Sequence, residues 1–373
     1  ESERALEEAR GADYALLGEA DLSVVALANA LESNGELAGV PGLVVRSGDG
    51  AVRYGEPQVV DDLDALADPY FDDLDFRRYM WDVLGRGRVP GGTAVTSRGC
   101  PWDCVFCANA CLTRRKVRFR SPQRVVQEVL RLYRDHSVRH VVFMDDCLTL
   151  RRDRVLEICD GIRGLGLPDL TWEGDTRADR LDLELLRAMR SAGCVRINVG
   201  IESGDPKILE SLGKGVTHAQ IVDALRWAKE AGMETRATAM IGLPNETRET
   251  IRRTIRFLRD LKYIDHPYLN IAMPYPGTRL REIAKAGEGG LEIVDDRWDS
   301  MRRWGNAVMR VGDISPRQMI RIQNRGIILI YATPRRIWHS LTRAGLKNGL
   351  KMLIAFALRV IMRIGKQSIP YEG

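Results

Sequence analysis

The chain has 373 residues, of which 45% are hydrophobic, enough for the core of one large domain with smaller appendages. Its formal net charge of +5 is small for this length and its arginines are spread among acidic residues, so nothing indicates the concentrated basic surface of a nucleic-acid-binding protein. Its seven cysteines are odd in number, which excludes a dense disulfide scaffold and favours the reducing cytoplasm.

Residues 1–60 are predicted to form a small α/β unit. The pattern predicts a strand at 13–17, a helix at 22–31 and a hairpin that pairs 42–46 with 51–54 across Gly-Asp-Gly. The chain starts with Glu1 rather than a methionine, inside a further predicted helix. We therefore expect a fragment whose natural N-terminus is missing.

Residues 93–290 alternate short apolar runs with amphipathic helical stretches, six times in series. Such units imply parallel strands joined by right-handed crossovers. Six strands are too few for a closed eight-stranded barrel, so the predicted fold is α/β, a partial (β/α)6 barrel. Its functional site is expected at the carboxyl ends of the strands. Predicted helix caps precede the helices at Ser121, Asp182, Thr217, Thr247 and Thr278.

Two segments flank this barrel. Residues 61–92 are interpreted as an irregular linker rich in acidic and aromatic residues, and residues 291–373 as a basic helical region. Within 335–364 the longest stretch without charge, 352–358, is far shorter than the ~20 apolar residues of a membrane-spanning helix. A basic amphipathic helix here either packs on the barrel, which we favour, or makes peripheral contact with a membrane surface.

The most informative motif is a group of three cysteines directly after the first barrel strand. Cys100, Cys104 and Cys107 have the spacing C-x3-C-x2-C, and Phe106 precedes the third. Three thiolates on one loop can hold three corners of a 4Fe–4S cluster and leave the fourth iron open to a small molecule. A structural zinc site would need a fourth ligand, for which Cys111 is the only nearby candidate. The other cysteines are predicted to be buried small residues: Cys111, Cys147, Cys159 and Cys194.

Charged residues stand at the ends of the second and third strands. Asp145 and Asp146 could accept hydrogen bonds from a ligand amine or hydroxyl, or they could cap a helix. Arg177 has the forked guanidinium that suits a carboxylate, although a surface salt bridge is the alternative.

The fourth and fifth strands also end in candidate site residues. Glu202, followed by Ser203, could accept both hydroxyls of a ribose, or it could belong to a structural turn. Ile241 is followed by Gly242, and a glycine allows a flat ring to approach the backbone closely.

Together these motifs resemble those of radical S-adenosylmethionine (radical SAM) enzymes over roughly residues 90–290. The runs at 200–204, 241–244 and 274–278 are similar to the subgroup that carries an N-terminal cobalamin-binding domain. The resemblance implies a 4Fe–4S cluster on the three cysteines, with S-adenosylmethionine bound to its open iron. It also implies a cofactor site formed by Phe106, Asp145, Asp146, Arg177, Glu202, Ser203, Ile241 and Gly242.

The activity implied by the resemblance is reductive cleavage of S-adenosylmethionine to a 5′-deoxyadenosyl radical. That radical would act on an unidentified organic small molecule, with an external electron donor such as a flavodoxin or ferredoxin. Methyl transfer is the leading hypothesis, and a radical cyclase or another carbon-skeleton remodelling enzyme is the alternative. A non-catalytic iron–sulfur or zinc protein is disfavoured by the strand-end motifs. A methylthiotransferase would need three further cysteines, and residues 1–90 contain none.

Residues 11–20 resemble the last strand and turn of a cobalamin-binding domain, so 1–60 is interpreted as the C-terminal remnant of such a domain. The D-x-H-x-x-G loop of that subgroup, whose histidine can ligate cobalt, is absent from the sequence. We therefore expect cobalamin binding in a longer parent protein and not by this chain. In that case part of a core is missing around Leu6, Leu16, Leu22, Val25 and Leu27, and the unit is held mainly by the barrel or is loosely ordered.

Overall fold

The computed structural model describes residues 4–338, except positions 5, 7, 10, 48, 49 and 84. From residue 339 onward, the predicted basic helix at 335–364 lies outside the described residues, and both of its interpretations stay predictions. Among the residues described, no helix is long and apolar enough to cross a membrane.

A small antiparallel sheet with one helix forms the N-terminal unit. Strands β1 (Tyr14–Leu16), β2 (Leu43–Ser47) and β3 (Gly50–Tyr54) pair in that order, close to the predicted positions. Leu27 of helix α1 (Asp21–Glu32) shares a buried cluster with Leu43. Of the five residues expected to lack part of a core, Leu22 and Val25 are 51% and 56% exposed, Leu16 is half-buried, and Leu6 and Leu27 are buried. Whether a domain once covered them stays a prediction.

Ion pairs join this unit to the barrel. Glu19 receives two hydrogen bonds from the Arg118 guanidinium, at 2.6 and 2.7 Å, and the Arg118 side chain is only 4% exposed. Asp21 receives two from Arg98, at 2.7 and 3.0 Å. Because bidentate guanidinium–carboxylate pairs fix orientation as well as distance, the barrel holds this unit in a defined position.

The remaining strands and helices alternate along the chain. The strands are β4 (Met80–Val83), β5 (Gly87–Ala94), β6 (Ser97–Arg98), β7 (Arg118–Phe119), β8 (His140–Phe143), β9 (Thr171–Thr176), β10 (Cys194–Glu202), β11 (Glu234–Ile241), β12 (His266–Ile271), β13 (Leu291–Ile293) and β14 (Met309–Val311). The helices are α2 (Asn109–Thr113), α3 (Pro122–Asp135), α4 (Arg152–Gly164), α5 (Leu183–Ser191), α6 (Pro206–Ser211), α7 (His218–Glu230), α8 (Arg248–Asp260), α9 (Arg279–Lys285) and α10 (Pro316–Tyr331).

Six parallel strands form the main sheet, as predicted, and the sheet curls into a half-barrel. The strand order is β12-β11-β10-β9-β8-β5, and β4 adds a seventh, antiparallel strand beside β5. The strand at Met80–Val83 was not predicted, because residues 61–92 were interpreted as an irregular linker. It forms because the chain reverses at Gly85 and Gly87, both with positive φ, and because Gly91 leaves space for the Trp81 ring.

All five predicted helix caps are confirmed. In each case the capping side chain accepts a hydrogen bond from the backbone amide three residues later, at Ser121, Asp182, Thr217, Thr247 and Thr278. Helix α6, which follows β10 and is capped by Asp205, was not predicted.

The two faces of the half-barrel differ in chemistry. Side chains alternate along a strand, so Ile197, Val199 and Ile201 of β10 lie in the apolar core shared with the helices. Arg196 and Asn198 of the same strand lie on the opposite, concave face. The inner surface of the half-barrel is therefore polar, and the apolar core lies between sheet and helices.

Candidate active site

The three motif cysteines lie on a loop at the carboxyl end of the parallel sheet, between β6 and α2. Each is a free, half-buried thiol. The Cys107 amide donates to the Cys104 carbonyl at 3.0 Å, which closes a turn between two of the thiols. Val105, between them, donates to the Leu212 carbonyl at 3.0 Å and accepts from the Leu280 amide at 2.7 Å. The loop is thus fixed on both sides by the chain near α6 and α9.

Gly99 allows the chain to enter this loop. Its φ of 96° lies in the left-handed region, and a Cβ at this position would clash with the Lys116 carbonyl oxygen. Its amide donates to Asp146 Oδ2 at 2.9 Å. Asp146, predicted as a ligand contact, therefore orients the start of the cysteine loop.

Asp145 is buried and contacts the segment that leads into the same loop. Its carboxylate accepts from the Thr96 amide at 2.7 Å, the Thr96 hydroxyl at 2.6 Å and the Ser97 hydroxyl at 2.5 Å. Burial raises the pKa of Asp145, and these three hydrogen bonds oppose that rise. The structure gives Asp145 a positioning contact to the segment before the cysteines, and a direct contact to a ligand stays a prediction.

Arg177 is buried against the cysteine loop rather than forming a surface salt bridge. Its guanidinium donates to the Lys214 carbonyl at 2.6 Å and to Asp179 at 2.9 Å. It also stacks on Trp102, which lies between the first two motif cysteines, with Cζ 3.7 Å from the ring centroid. The sequence could not have identified Trp102 as the stacking partner of Arg177, because the two residues meet only in the folded chain.

Glu202 forms a buried ion pair with Lys214, a residue that the sequence analysis missed. Lys214 Nζ lies 2.5 Å from Glu202 Oε1 and donates to the Gly200 carbonyl at 2.8 Å. The two side chains are 7% and 8% exposed. Glu202 has a φ of 62°, unusual outside glycine, so the end of β10 turns sharply to present this carboxylate.

The carboxyl ends of β10 and β11 carry the next predicted residues, Ser203 and the Ile241–Gly242 pair. Ser203 is buried, and its hydroxyl lies 3.2 Å from the hydroxyl of Thr254. Ile241 faces the apolar core, whereas Gly242, with a φ of 93°, donates its amide to Glu246 Oε2 at 2.6 Å. Burial raises the pKa of Glu246 to about 7, although two backbone amides oppose the rise.

The remaining predicted residues have mixed outcomes. Phe106 is partly buried and packs against the main core. Cys147, Cys159 and Cys194 are buried as predicted, but Cys111 is exposed, with its sulfur 2.9 Å from the Gly277 carbonyl. Cys111 differs because α2 is a short surface helix, whereas the other three lie beneath the sheet and helices.

The three motif thiols share an unusual electrostatic environment. Burial raises the pKa of Cys100, Cys104 and Cys107, and that of Cys104 reaches about 11. Lys214 and Arg177 oppose the rise at Cys104 because both cations lie near its sulfur. Among the described residues, no three His, Cys, Asp or Glu side chains are grouped as they would be to hold a metal ion. The assignment of the cysteines therefore depends on their spacing, their loop and their neighbours.

A protein-family model, the radical SAM superfamily, matches residues 94–258, which include the cysteine loop and the strands as far as β11. An uncharacterized methyltransferase of Pyrococcus horikoshii, PH0819, is 33% identical over 324 residues, which cover 87% of this chain and 68% of that protein. The chain belongs to the radical SAM superfamily. An anaerobic magnesium-protoporphyrin IX monomethyl ester cyclase of Cereibacter sphaeroides is 32% identical over 282 residues, 74% of this chain and 45% of the cyclase.

Among solved structures, the radical SAM methyltransferase TsrM of Kitasatospora setae has the same fold, with a TM-score of 0.63 and 24% identity. The match covers 76% of this chain and 56% of TsrM, and one TsrM structure contains cobalamin and a 4Fe–4S cluster. The chain thus spans only about half the length of the cyclase and of TsrM.

Radical SAM proteins use a 4Fe–4S cluster and S-adenosylmethionine, and the residues of this chain fit both groups. Three free thiols lie on one loop, and three is the number of protein ligands that a cluster with an open iron takes. Burial raises the pKa of the Cys104 thiol to about 11, although Lys214 and Arg177 lower that pKa and so oppose the effect of burial. Three charged side chains that could contact a nucleoside with an amino-acid group lie near the Cys104 thiol: Lys214, Glu202 and Arg177.

Proposed function

We propose that this chain uses a 4Fe–4S cluster on Cys100, Cys104 and Cys107 to cleave S-adenosylmethionine reductively and to start radical chemistry on an organic small molecule. The observation that carries the proposal is the loop of three half-buried thiols next to the buried Glu202–Lys214 pair at the carboxyl edge of a parallel half-barrel. Methyl transfer is the favoured reaction, supported by the names of PH0819 and TsrM.

Glu202 is proposed to bind the ribose of S-adenosylmethionine. One carboxylate oxygen pairs with Lys214, and a carboxylate has lone pairs for further donors such as two ribose hydroxyls. Lys214 holds this carboxylate in place and brings a positive charge near Cys104. Arg177, stacked on Trp102, is the second cation on this side of the loop and suits the carboxylate of the methionine moiety.

Further residues shape the site around the nucleoside. Gly242, which carries no side chain, is proposed to let the adenine approach the backbone at the end of β11, beside Ile241. Ser203 is proposed to contact the cofactor next to Glu202, and Phe106 to line the loop beside Cys107. Asp146 and Asp145 keep the loop entry fixed through the Gly99 amide and the Thr96–Ser97 segment.

When bound, the cluster supplies one electron that breaks a carbon–sulfur bond of S-adenosylmethionine and so starts radical chemistry on the substrate. The chain's own residues would bind and orient: the thiols would hold the cluster and Glu202 would hold the ribose. The electron is proposed to come from an external donor such as a flavodoxin or ferredoxin. The substrate is proposed to be a small molecule, with no nucleic acid involved.

A radical cyclase is the second candidate, supported by 32% identity to the magnesium-protoporphyrin ester cyclase over most of this chain. A binding role without catalysis is the third. Both alternatives are separated from methyl transfer by their products, since a methyltransferase converts a second S-adenosylmethionine to S-adenosylhomocysteine and a non-catalytic protein converts none.

The test is incubation of the reconstituted chain with S-adenosylmethionine and dithionite without oxygen, followed by mass spectrometry. We expect 5′-deoxyadenosine and methionine from the wild type and from the matched control Cys159→Ala. The Cys159 thiol is buried, and this residue lies outside the cysteine loop. Cys104→Ala should yield neither product. Equal product from Cys104→Ala and Cys159→Ala would refute the proposal.

A further inference from the structure

A row of polar side chains crosses the inner face of the half-barrel, and the proposed cofactor site does not use it. Asp175 of β9, Asn198 of β10 and Arg236 of β11 are register partners, so they lie side by side on three adjacent strands. On β12 the register partner of Arg236 is His266, and Tyr268 follows two residues later, with its ring centroid 5.7 Å from the Arg236 guanidinium. Trp304 ends the row, edge-on to Tyr268 at 6.1 Å and 45% exposed. We call these residues without His266 the inner row: Asp175, Asn198, Arg236, Tyr268 and Trp304.

The inner row lies between the carboxyl ends of the strands, here called the rim, and a layer of buried ion pairs deeper in the half-barrel. Asn198 precedes Glu202 by four residues on β10, which places the row about 13 Å from the rim along the strand. Beneath it, Arg196 forms buried ion pairs with Glu173 and with Glu234, the latter at 2.8 Å. These ion pairs lie farther from the rim than the inner row does.

The charges on this face leave Asp175 without a cation of its own. Glu173, Asp175 and Glu234 are three carboxylates, and the two guanidiniums of Arg196 and Arg236 pair with Glu173 and Glu234. Asp175 instead accepts a neutral hydrogen bond from Asn198 Nδ2 at 2.9 Å, and within the described part of the chain it forms no ion pair. A negative charge thus remains on the open side of the network.

Asp175 lies in a recess that water still reaches. Its side chain is exposed, yet desolvation by the surrounding protein raises its pKa, while Asn198 and Arg236 oppose the rise. An exposed carboxylate on a flat surface would not be desolvated in this way. The concave wall therefore offers a partly dehydrated anion, which binds a cation more strongly than a surface carboxylate does.

Asn198 orients the Asp175 carboxylate. Its Nδ2 must be the atom that faces the Asp175 carboxylate, since a carboxylate only accepts hydrogen bonds. Its Oδ1 is then directed away, and this oxygen is buried without a partner among the residues described.

We propose that the inner row is the substrate-binding wall and that it selects an organic amine with a flat, unsaturated body. The ammonium group would donate to the Asp175 carboxylate, and the flat body would pack on Tyr268 and Trp304. A carboxylate at the same position would face Asp175 and be repelled. This inference rests on the proposed function, since it names the substrate class of that same site.

The test is calorimetric titration of the reconstituted chain with four probes: phenethylamine, 2-phenylethanol and 3-phenylpropionate, which are similar in size, and butylamine, which has no ring. We expect phenethylamine to bind about tenfold more tightly than 3-phenylpropionate, with the alcohol between them. Asp175→Asn should remove this preference, whereas the matched control Asp160→Asn, on the exposed side of α4, should retain it. Tyr268→Leu should reduce the preference for phenethylamine over butylamine without removing the preference for a cation.

Equal affinity for the amine and the carboxylate probe would overturn the proposal, as would a full amine preference in Asp175→Asn. Absence of saturable amine binding up to ~10 mM would overturn it too. Failure of the proposed function is seen separately, because cluster content and S-adenosylmethionine cleavage are measured on the same preparation without any probe.

Discussion

Replacement of Lys214 by methionine is expected to destabilise the chain by about 3–5 kcal/mol, the usual cost of leaving one partner of a buried ion pair uncompensated. The Lys214 ammonium lies 2.5 Å from Glu202 and 2.8 Å from the Gly200 carbonyl, and both charged side chains are more than nine-tenths buried. Without the ammonium, a buried carboxylate and a buried carbonyl lose their donor at once. Urea unfolding under anaerobic conditions measures the change.

The double variant Lys214→Met/Glu202→Gln separates stability from cofactor binding. Because both charges are removed, we expect it to recover most of the free energy of unfolding that Lys214→Met loses. It should not recover affinity for S-adenosylmethionine, since two ribose hydrogen bonds to a charged acceptor are worth about 1.5–3 kcal/mol each. As a control, Glu230→Gln breaks the exposed Arg187–Glu230 pair and should cost less than about 1 kcal/mol.

Two results would refute this reasoning. One is a Lys214→Met variant that unfolds at the same urea concentration as Glu230→Gln, because the Glu202–Lys214 pair would then behave as a surface pair. The other is a double variant that binds S-adenosylmethionine as tightly as the wild type in an anaerobic titration, because Glu202 would then not hold the ribose.

Three further predictions follow from single positions. Gly99→Ala places a Cβ where the Lys116 carbonyl lies, so it should lower the free energy of unfolding by about 1–3 kcal/mol and reduce the iron content. Gly164→Ala, which has open space around it, should do neither, and equal iron content in the two variants would contradict the role of Gly99. Because the pKa of Glu246 is raised to about 7, its contribution to the free energy of unfolding should be complete below pH ~4.5 and decline as the pH rises towards 7. Glu246→Gln should therefore gain stability relative to the wild type between pH 5 and 8. A difference in urea midpoint that does not change with pH would contradict this. Hydroxocobalamin should separate from this chain on gel filtration, since the chain lacks the histidine loop of a cobalamin domain, and stoichiometric retention would show a corrinoid site that the sequence analysis missed.

The parts of the fold that depend on local patterns were predictable. The caps at Thr217 and Thr247 and the strand at Glu234–Ile241 were identified correctly, because a capping side chain and an apolar run act within a few residues. Strand β4 was missed because its pairing with β5 depends on Trp81 fitting over Gly91, a contact that no periodicity reveals.

The site was predictable where its residues stand next to one another in sequence. The cysteine loop and Glu202 could be identified from their motifs, whereas Lys214 could not, because the unpredicted helix α6 folds it back against the end of β10. Asp145 and Asp146 were identified as a pair, but the sequence could not distinguish the buried support from the residue that contacts Gly99. The inner row was not predictable for a related reason. Asp175, Asn198 and Arg236 come from three strands and meet through the parallel register, whereas Tyr268 and Trp304 join them through ring contacts.

The central claim is that Cys100, Cys104 and Cys107 hold a 4Fe–4S cluster with an open iron. Anaerobic reconstitution followed by iron and sulfide analysis tests it most directly, with Cys104→Ala beside Cys159→Ala. We predict about four iron and four sulfide per chain in the wild type and in Cys159→Ala, with broad absorption near ~400 nm, and neither in Cys104→Ala. Equal cluster loss in both variants, or a colourless wild type that binds zinc instead, would contradict the claim.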